Sequence, residues 1–307
     1  MATDQASARG EAALDRFVAE KGPLVERALS ECLPPVTERP APLHRAMREA
    51  VLAGGKRVRP LLVVAAAEVL RKPAERVLPW AAAIEYVHTC SLVLDDLPCM
   101  DDAERRRGRP TLHRATSEST AILAANALLM RAFELAAESA RIASLGRAES
   151  AEIVSSLAAA IGSRGMVGGQ FVDLEPFGSR GDDGLDRLEY VHSRKTGSLF
   201  TTALAGSALL SRANTAEKEA LVAYAKNVGL AYQIVDDLLD AEGDPEETGK
   251  DARKDKGKVT FVTLSSPAEA RSIARDLVET AKSALVLFRA RGAVLAAFAD
   301  FVRDRRK

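Results

Sequence analysis

Apolar residues recur along this chain three and four positions apart rather than alternately, and the segments between breakers are dominated by Ala, Leu, Glu and Arg, all good helix formers. The pattern predicts an all-α protein with helices at about 11–32, 43–53, 60–71, 74–96, 117–141, 147–163, 184–210, 214–241, 267–290 and 292–305. Breaks fall where proline and glycine collect: Pro34-Pro35 with Pro40 and Pro42, Gly54-Gly55, Gly108–Pro110, 176–184 and 243–258. Val259–Leu264 is the one stretch that could be read as a strand, and its place suggests a turn into a helix.

With 307 residues, 47% of them hydrophobic, the chain can close as one domain over 1–307, a bundle of about ten or more helices, with the polar residues 1–10 expected to be a flexible N-terminus. Lys plus Arg and Asp plus Glu both number 43, so no global field recruits nucleic acid or an anionic membrane, and any charge that matters is local. The three cysteines, Cys32, Cys90 and Cys99, are odd in number and lack CxxC spacing, which argues against a disulfide framework or structural zinc and fits a reducing cytoplasm. Apolar runs such as Leu61–Ala67 are too short for an integral membrane span, and the first ten residues carry no apolar stretch of signal-peptide type.

The chemistry begins with an Asp-Asp pair that occurs twice at the end of a long apolar segment. Asp236 and Asp240 are four apart on an expected helix, so their carboxylates share a face; like charges there need a cation, and hard oxygen ligands suit Mg²⁺ carrying phosphate oxygens. In Asp95-Asp96-Leu97-Pro98-Cys99-Met100-Asp101-Asp102 the spacing is odd, because at about 100° per residue Asp101 falls about 600° past Asp95 and points away from it. Pro98 breaks the local helix and could swing Asp101 back, giving a bulged DDxxD. Either cluster alone could be a solvated helix end; two on separate helices are better explained as a clamp for metal ions.

Cations surround both clusters. Arg105-Arg106-Arg107-Gly108-Arg109-Pro110 offers guanidinium forks for phosphate oxygens beside the first cluster, and Gly54-Gly55-Lys56-Arg57-Val58-Arg59-Pro60 sets three cations on a glycine turn leading into a helix. Lys195-Thr196-Gly197 lies mid-helix, where glycine needs a reason such as a kink that turns Lys195 and Thr196 toward a ligand. Lys250 and Lys258 frame the loop after the second cluster and could close over phosphate as a lid.

In order along the chain, GGKRxRP (Gly54–Pro60), the first aspartate-rich motif with a two-residue insertion (Asp95–Asp101), RRGxP (Arg106–Pro110), GGQxxDL (Gly168–Leu174), KTG (Lys195–Gly197) and the second aspartate-rich motif (Gln233–Asp240) resemble the trans-prenyl (polyprenyl) diphosphate synthase family. The resemblance covers about Gly54 to Leu264; Arg105, Val259 and Ser265-Ser266 depart from the usual pattern and bear on the lid rather than the metal site. It implies the isoprenoid synthase fold, helices around a central apolar cavity, and pairing as a homodimer. By position, Lys56, Arg59, His88 and Arg107 would bind the diphosphate of isopentenyl diphosphate, and Arg106, Lys195, Thr196, Gln233, Lys250 and Lys258 the allylic diphosphate. Asp95, Asp96, Asp101, Asp236 and Asp240 would hold Mg²⁺, about three ions with substrate bound, and Asp95, Asp96, Asp101, Arg106, Arg107, Lys195 and Asp236 would carry catalysis. Gln170 and Asp173 take only a supporting or packing role.

The activity so implied joins isopentenyl diphosphate to an allylic diphosphate, dimethylallyl, geranyl or farnesyl. Product length would follow the depth of an apolar shaft below Asp95, where Cys90 and Ser91 are both small; with no aromatic at Cys90 and with the Pro98-Cys99 insertion, the expected product is geranylgeranyl diphosphate. Farnesyl diphosphate is the alternative, and a class I terpene cyclase or a non-catalytic synthase subunit are more distant ones, against which both complete acidic clusters and Lys56 with Arg59 count.

Overall fold

The computed structural model describes residues 2–175, 184–242 and 260–305, with side chains from Gly10 onward. The described chain is helical almost throughout: α1 (Ala2–Glu31), α2 (Ala41–Leu52), α3 (Val58–Val69), α4 (Leu78–Asp95), α5 (Leu112–Ala115), α6 (Glu118–Ile142), α7 (Arg147–Ile161), α8 (Met166–Leu174), α9 (Leu185–Val191), α10 (Ser198–Leu210), α11 (Thr215–Glu242), α12 (Phe261–Leu264), α13 (Pro267–Ala284) and α14 (Ala293–Asp304).

Three segments are apolar on every side and form the centre. In α3 everything from Val58 to Ala67 is buried; α4 buries Trp80–Val87; α10 buries residues on all faces from Leu199 to Leu210. All-round hydrophobicity is what an interior helix requires. Three of the polar groups these helices carry inward find backbone partners: Trp80 Nε1 donates to the Ala203 carbonyl at 2.9 Å, Ser207 Oγ to Val63 at 2.8 Å, and Tyr86 Oη to Leu29 at 2.7 Å. Gly206 lets α10 lie against Trp80, since a Cβ there would come within 2.3 Å of the indole. A smaller apolar cluster, Leu188, Ile234, Val235, Leu238, Phe261, Ala270 and Ala274, ties α9, α11, α12 and α13 together behind the second acidic motif.

Several boundaries differ from the sequence expectation. α1 starts at Ala2 rather than near 11. A helix at Met166–Leu174 stands where none was expected, because its glycine pair hides the periodicity. The helix expected over 267–290 stops at Ala284 and continues as 3₁₀ turns through Gly292, interrupted by Arg289 at φ 51°. Arg105–Arg106 and Arg109–Pro110 form a small antiparallel hairpin rather than a loop, turned through Arg107 and Gly108 at φ 52° and 74°. Thr260 caps a short helical turn at Phe261–Leu264, as expected for the one ambiguous stretch. α6 is long and apolar enough to cross a membrane by length and composition alone, and one of its faces belongs to the core: Ala121, Ala124, Ala125, Leu128, Ala132, Leu135 and Ala136 pack inward, while Arg131 Nε donates to Cys32's carbonyl at 2.9 Å.

Candidate active site

α4 ends at Asp95, and the insertion around Pro98 folds the chain back on that end. The amide of Asp101 donates to the Asp95 carbonyl at 2.9 Å, Asp102 to Leu97 at 2.9 Å and Ala103 to Asp96 at 3.1 Å. Asp101 is thereby returned to the helix end that ideal geometry would have carried it away from. Burial pushes the Asp95 carboxyl up to about 6; Lys195 opposes that shift, and the charge of Asp101 adds to it.

Asp96, also expected among the metal ligands, is engaged by Arg106. It is buried, and both its oxygens accept from Arg106, Nε at 2.9 and 2.8 Å and Nη2 at 2.6 Å. Lying one position round the helix from Asp95, it faces the hairpin and holds the guanidinium in place. Arg107, at the hairpin turn, reaches the other way and donates to the Gly54 carbonyl, over a turn in which Gly55 at φ 141° takes a backbone conformation that favours glycine.

The three cations of the glycine turn divide their work. Arg57, at φ 50°, is buried in a structural pairing with Glu85 at 2.8 Å, Glu26 at 2.8 Å and the Val51 carbonyl at 2.7 Å. Breaking such a buried pair costs about 3–5 kcal/mol, so Arg57 locks the turn onto α4 and α1. Arg59 is buried with its guanidinium 4.5 Å above the Phe200 ring and Nη1 3.4 Å from His88 Nε2, and its Nε has no partner among the described residues. A buried donor left unmade is suited to an anion. His88 is pushed well below its usual range by burial and then by Arg59 and Arg107, so the ring is neutral and able to accept. Lys56 is shifted down by desolvation and by Arg305, with Asp236 opposing, which places all three cationic and acidic groups together.

The expected kink at Lys195-Thr196-Gly197 is a π turn, His192–Gly197, between α9 and α10. Such turns interrupt a helix at functional sites. Lys195 Nζ donates to Asp173 Oδ2 at 2.7 Å, and the Thr196 hydroxyl donates to Gln233 Oε1 at 2.8 Å. The glycine pair on α8 has its reason here: a Cβ at Gly169 would lie 2.4 Å from the Lys195 amide nitrogen, and one at Gly168 would lie 2.0 Å from the Ser163 carbonyl oxygen. Gly169→Ala is therefore expected to shift the π turn and lower turnover about tenfold, while costing about 1–3 kcal/mol of stability; parallel steady-state kinetics and thermal melts check both.

On α11, Gln233, Asp236 and Asp240 recur on one face, with Asp240 exposed on the outer turn. Asp236 accepts from Arg305 Nη2 at 2.9 Å; the buried Arg305 also donates to the Tyr232 carbonyl at 2.6 Å and stacks 3.8 Å from that ring. Arg305 was not anticipated from the sequence, although the basic run Arg303–Lys307 after an apolar helix is the signal that could have found it. Lys250 and Lys258 lie outside the described residues. Cys90 is buried beneath the end of α4, its thiol pushed up to about 12 by burial and then by the charge of Asp95; Ser91 Oγ bonds to the His88 carbonyl at 2.9 Å.

The two acidic helix ends thus stand on either side of the π turn: Lys195 acts on Asp95, and Thr196 touches Gln233 one turn before Asp236. Among the described residues no three acidic, histidine or cysteine side chains converge into a self-sufficient metal cage. The donors nonetheless fit Mg²⁺, which takes one or two carboxylates and completes its shell with water and substrate phosphate. At Asp236 a cation, the Arg305 guanidinium, already stands beside the carboxylate.

The polyprenyl synthetase family profile matches residues 40–287. Geranylgeranyl pyrophosphate synthase 4 of Arabidopsis thaliana is 40% identical over 272 residues, 88% of this chain and 72% of the relative. A chloroplastic geranylgeranyl pyrophosphate synthase of Capsicum annuum is 39% identical, covering 94% of this chain and 78% of its own. Among solved structures, an FPP/GFPP synthase from Zymomonas mobilis superposes with a TM-score of 0.81 at 34% identity, over 97% of this chain and 99% of that one. With fold, motif order and sequence in agreement, the chain belongs to the polyprenyl synthetase family and is a trans-prenyltransferase.

Proposed function

We propose that the protein condenses isopentenyl diphosphate with dimethylallyl, geranyl and farnesyl diphosphates, with geranylgeranyl diphosphate as its main product. The observation that carries this reading is the pair of acidic helix ends flanking the Lys195–Thr196 turn, with Arg59 buried and short of an acceptor nearby. Asp95, Asp101, Asp236 and Asp240 would hold the Mg²⁺ ions, which when bound supply positive charge to the leaving diphosphate. Arg106, held by Asp96, and Lys195 would bind the allylic diphosphate; Lys56, Arg59, His88 and Arg107 would hold isopentenyl diphosphate beside it. As the allylic carbon–oxygen bond ionises, these fixed cations stabilise the charge on the departing group. The double bond of isopentenyl diphosphate then captures the allylic cation, a proton leaves to the departed diphosphate, and the apolar walls keep water from quenching the cation.

The reading of the assembly is a homodimer in the cytoplasm, each copy one domain. The outer face of α6 exposes Ile122, Leu123 and Met130, a row that a second copy of the same helix would cover. Farnesyl-sized and longer products occur in the name of the Zymomonas relative, so product length is the part that needs measurement. Chromatography of the products made from labelled isopentenyl diphosphate with each short allylic primer is expected to show mainly C20; dominance of C15 would refute that assignment. Diphosphate release from farnesyl diphosphate alone would indicate a cyclase instead.

A further inference from the structure

α3 runs from the Lys56–Arg59 turn to Val69, and α4 starts at Leu78 and ends at Asp95, so the chain between them crosses the end of the bundle remote from the site. Two turns meet there. One follows α3 through Arg71, at φ 60°, and Lys72; the other joins α13 to α14 through Val286–Gly292. Arg291 ties them, its Nη1 donating to the carbonyl of Val69. The second turn divides its apolar side chains between inside and outside. Leu285 and Phe288 are buried at 4% and 1% exposure, whereas Val286 and Leu287 between them stand out at 73% and 50%. Val286 is the most exposed large apolar side chain among the described residues. The buried pair, and the Phe288 amide that donates to the Leu285 carbonyl at 2.9 Å, fix that outward direction.

The surroundings are basic. Across 69–76 and 285–292 the cations are Arg71, Lys72, Arg76, Arg289 and Arg291, and the one acid is Glu75. Arg76 is engaged by the Leu210 and Ala143 carbonyls, but the side chains of Arg71, Lys72 and Arg289 have no hydrogen-bond or ion-pair partner among the described residues. Glu68, the nearest acid upstream, is paired with Lys21 at 2.7 Å. With the formal charge of the whole chain at zero, this is a local field.

We infer that this tip is a docking surface for anionic phospholipid: Val286 and Leu287 enter the boundary between headgroups and acyl chains, and Arg71, Lys72 and Arg289 lie against the phosphates. Two aliphatic side chains are too few for a stable protein interface, which takes about 800 Å² from each partner, whereas a fluid bilayer receives them without a matching shape. The cations fit the same surface, since each one near an anionic leaflet tightens binding about fivefold. The tip lies on the order of 17 Å along α3 from the Lys56–Arg59 turn, so a bilayer there leaves the diphosphate-binding end open to water-soluble substrates.

Sedimentation with sucrose-loaded vesicles tests this on the full chain without substrate, which keeps its failure separable from failure of the prenyl-transfer reading. The parent is expected to partition at least about tenfold more strongly into phosphatidylcholine vesicles containing about 30% phosphatidylglycerol than into phosphatidylcholine alone. Most of that preference should disappear between about 0.05 and 0.5 M NaCl. Val286→Ser with Leu287→Ser should lower the partition about tenfold, and Arg71→Gln with Arg289→Gln about 10- to 25-fold, with kcat and KM in lipid-free solution within about twofold of the parent. Val286→Trp places a reporter where the core makes no demand on it, and its emission should shift to the blue when the anionic vesicles are added. No partition of the parent, equal partition into both vesicles, serine variants that bind as the parent does, or a Val286→Trp spectrum indifferent to vesicles would overturn the inference. So would a serine double variant whose sedimentation coefficient changes without lipid, because that marks the tip as a contact between protein copies.

Discussion

Asp95→Ala is expected to lower kcat about 10³-fold, the largest effect of any single substitution in this site. Asp95 is where burial, the neighbouring charge of Asp101 and the returned backbone of the Pro98 bulge coincide. Its carboxyl is pushed up to about 6 first by desolvation and then by Asp101, against the opposing influence of Lys195. In the proposed reaction a divalent cation held there would relieve both penalties at once, and losing the carboxylate would remove an ion aimed at the leaving group. Because the ligand must be ionised, the Mg²⁺ concentration giving half-maximal rate should rise as pH falls through about 6 and be level above it. Asp96→Asn makes the informative contrast. Asp96 holds Arg106 by three contacts, so its loss should appear mainly in the allylic KM, with Mn²⁺ binding in the presence of inorganic pyrophosphate little changed. Equal loss of Mn²⁺ binding in both variants would mean that Asp96, too, is a ligand.

That contrast also shows where the sequence was legible and where it was not. Helical periodicity, the order of the motifs and the glycine in Lys195-Thr196-Gly197 each point to the feature found, because a breaker inside a periodic segment needs a structural reason. The pairing of Asp96 with Arg106 was not legible: adjacent helical residues face about 100° apart, and the hairpin that brings Arg106 to the far side leaves no periodic trace in so short a strand pair. The same reasoning divides the glycine turn, where Lys56, Arg57 and Arg59 look equivalent as a charge run, yet the left-handed backbone at Arg57 drives that side chain onto Glu85 and Glu26. Arg305 was missed for the opposite reason. Its contact with Asp236 joins positions 69 apart, and the basic run that marks Arg305 does not say which group it reaches.

Cys90→Phe is expected to move the main product from C20 to C15. Cys90 lies five residues before Asp95, buried at 3% exposure, and the charge of Asp95 is felt at its sulfur, which places it under the reacting end of the site. In the proposed reaction an allylic chain growing away from Asp95 would pass down the wall of α4, each added isoprene unit lengthening it by five carbons. A phenyl ring in place of the thiol fills space that a fourth unit would need, and an apolar floor discriminates by sterics rather than by a lost hydrogen bond. The ring also intrudes on a packed core, at a cost of about 1–3 kcal/mol, so a small drop in melting temperature should accompany the change. Condensation of dimethylallyl with isopentenyl diphosphate takes place above the floor and should keep its rate. If the variant still makes C20 as its main product, the floor is set by another helix; if it loses the first condensation as well, the ring has displaced the end of α4 rather than shortened the shaft.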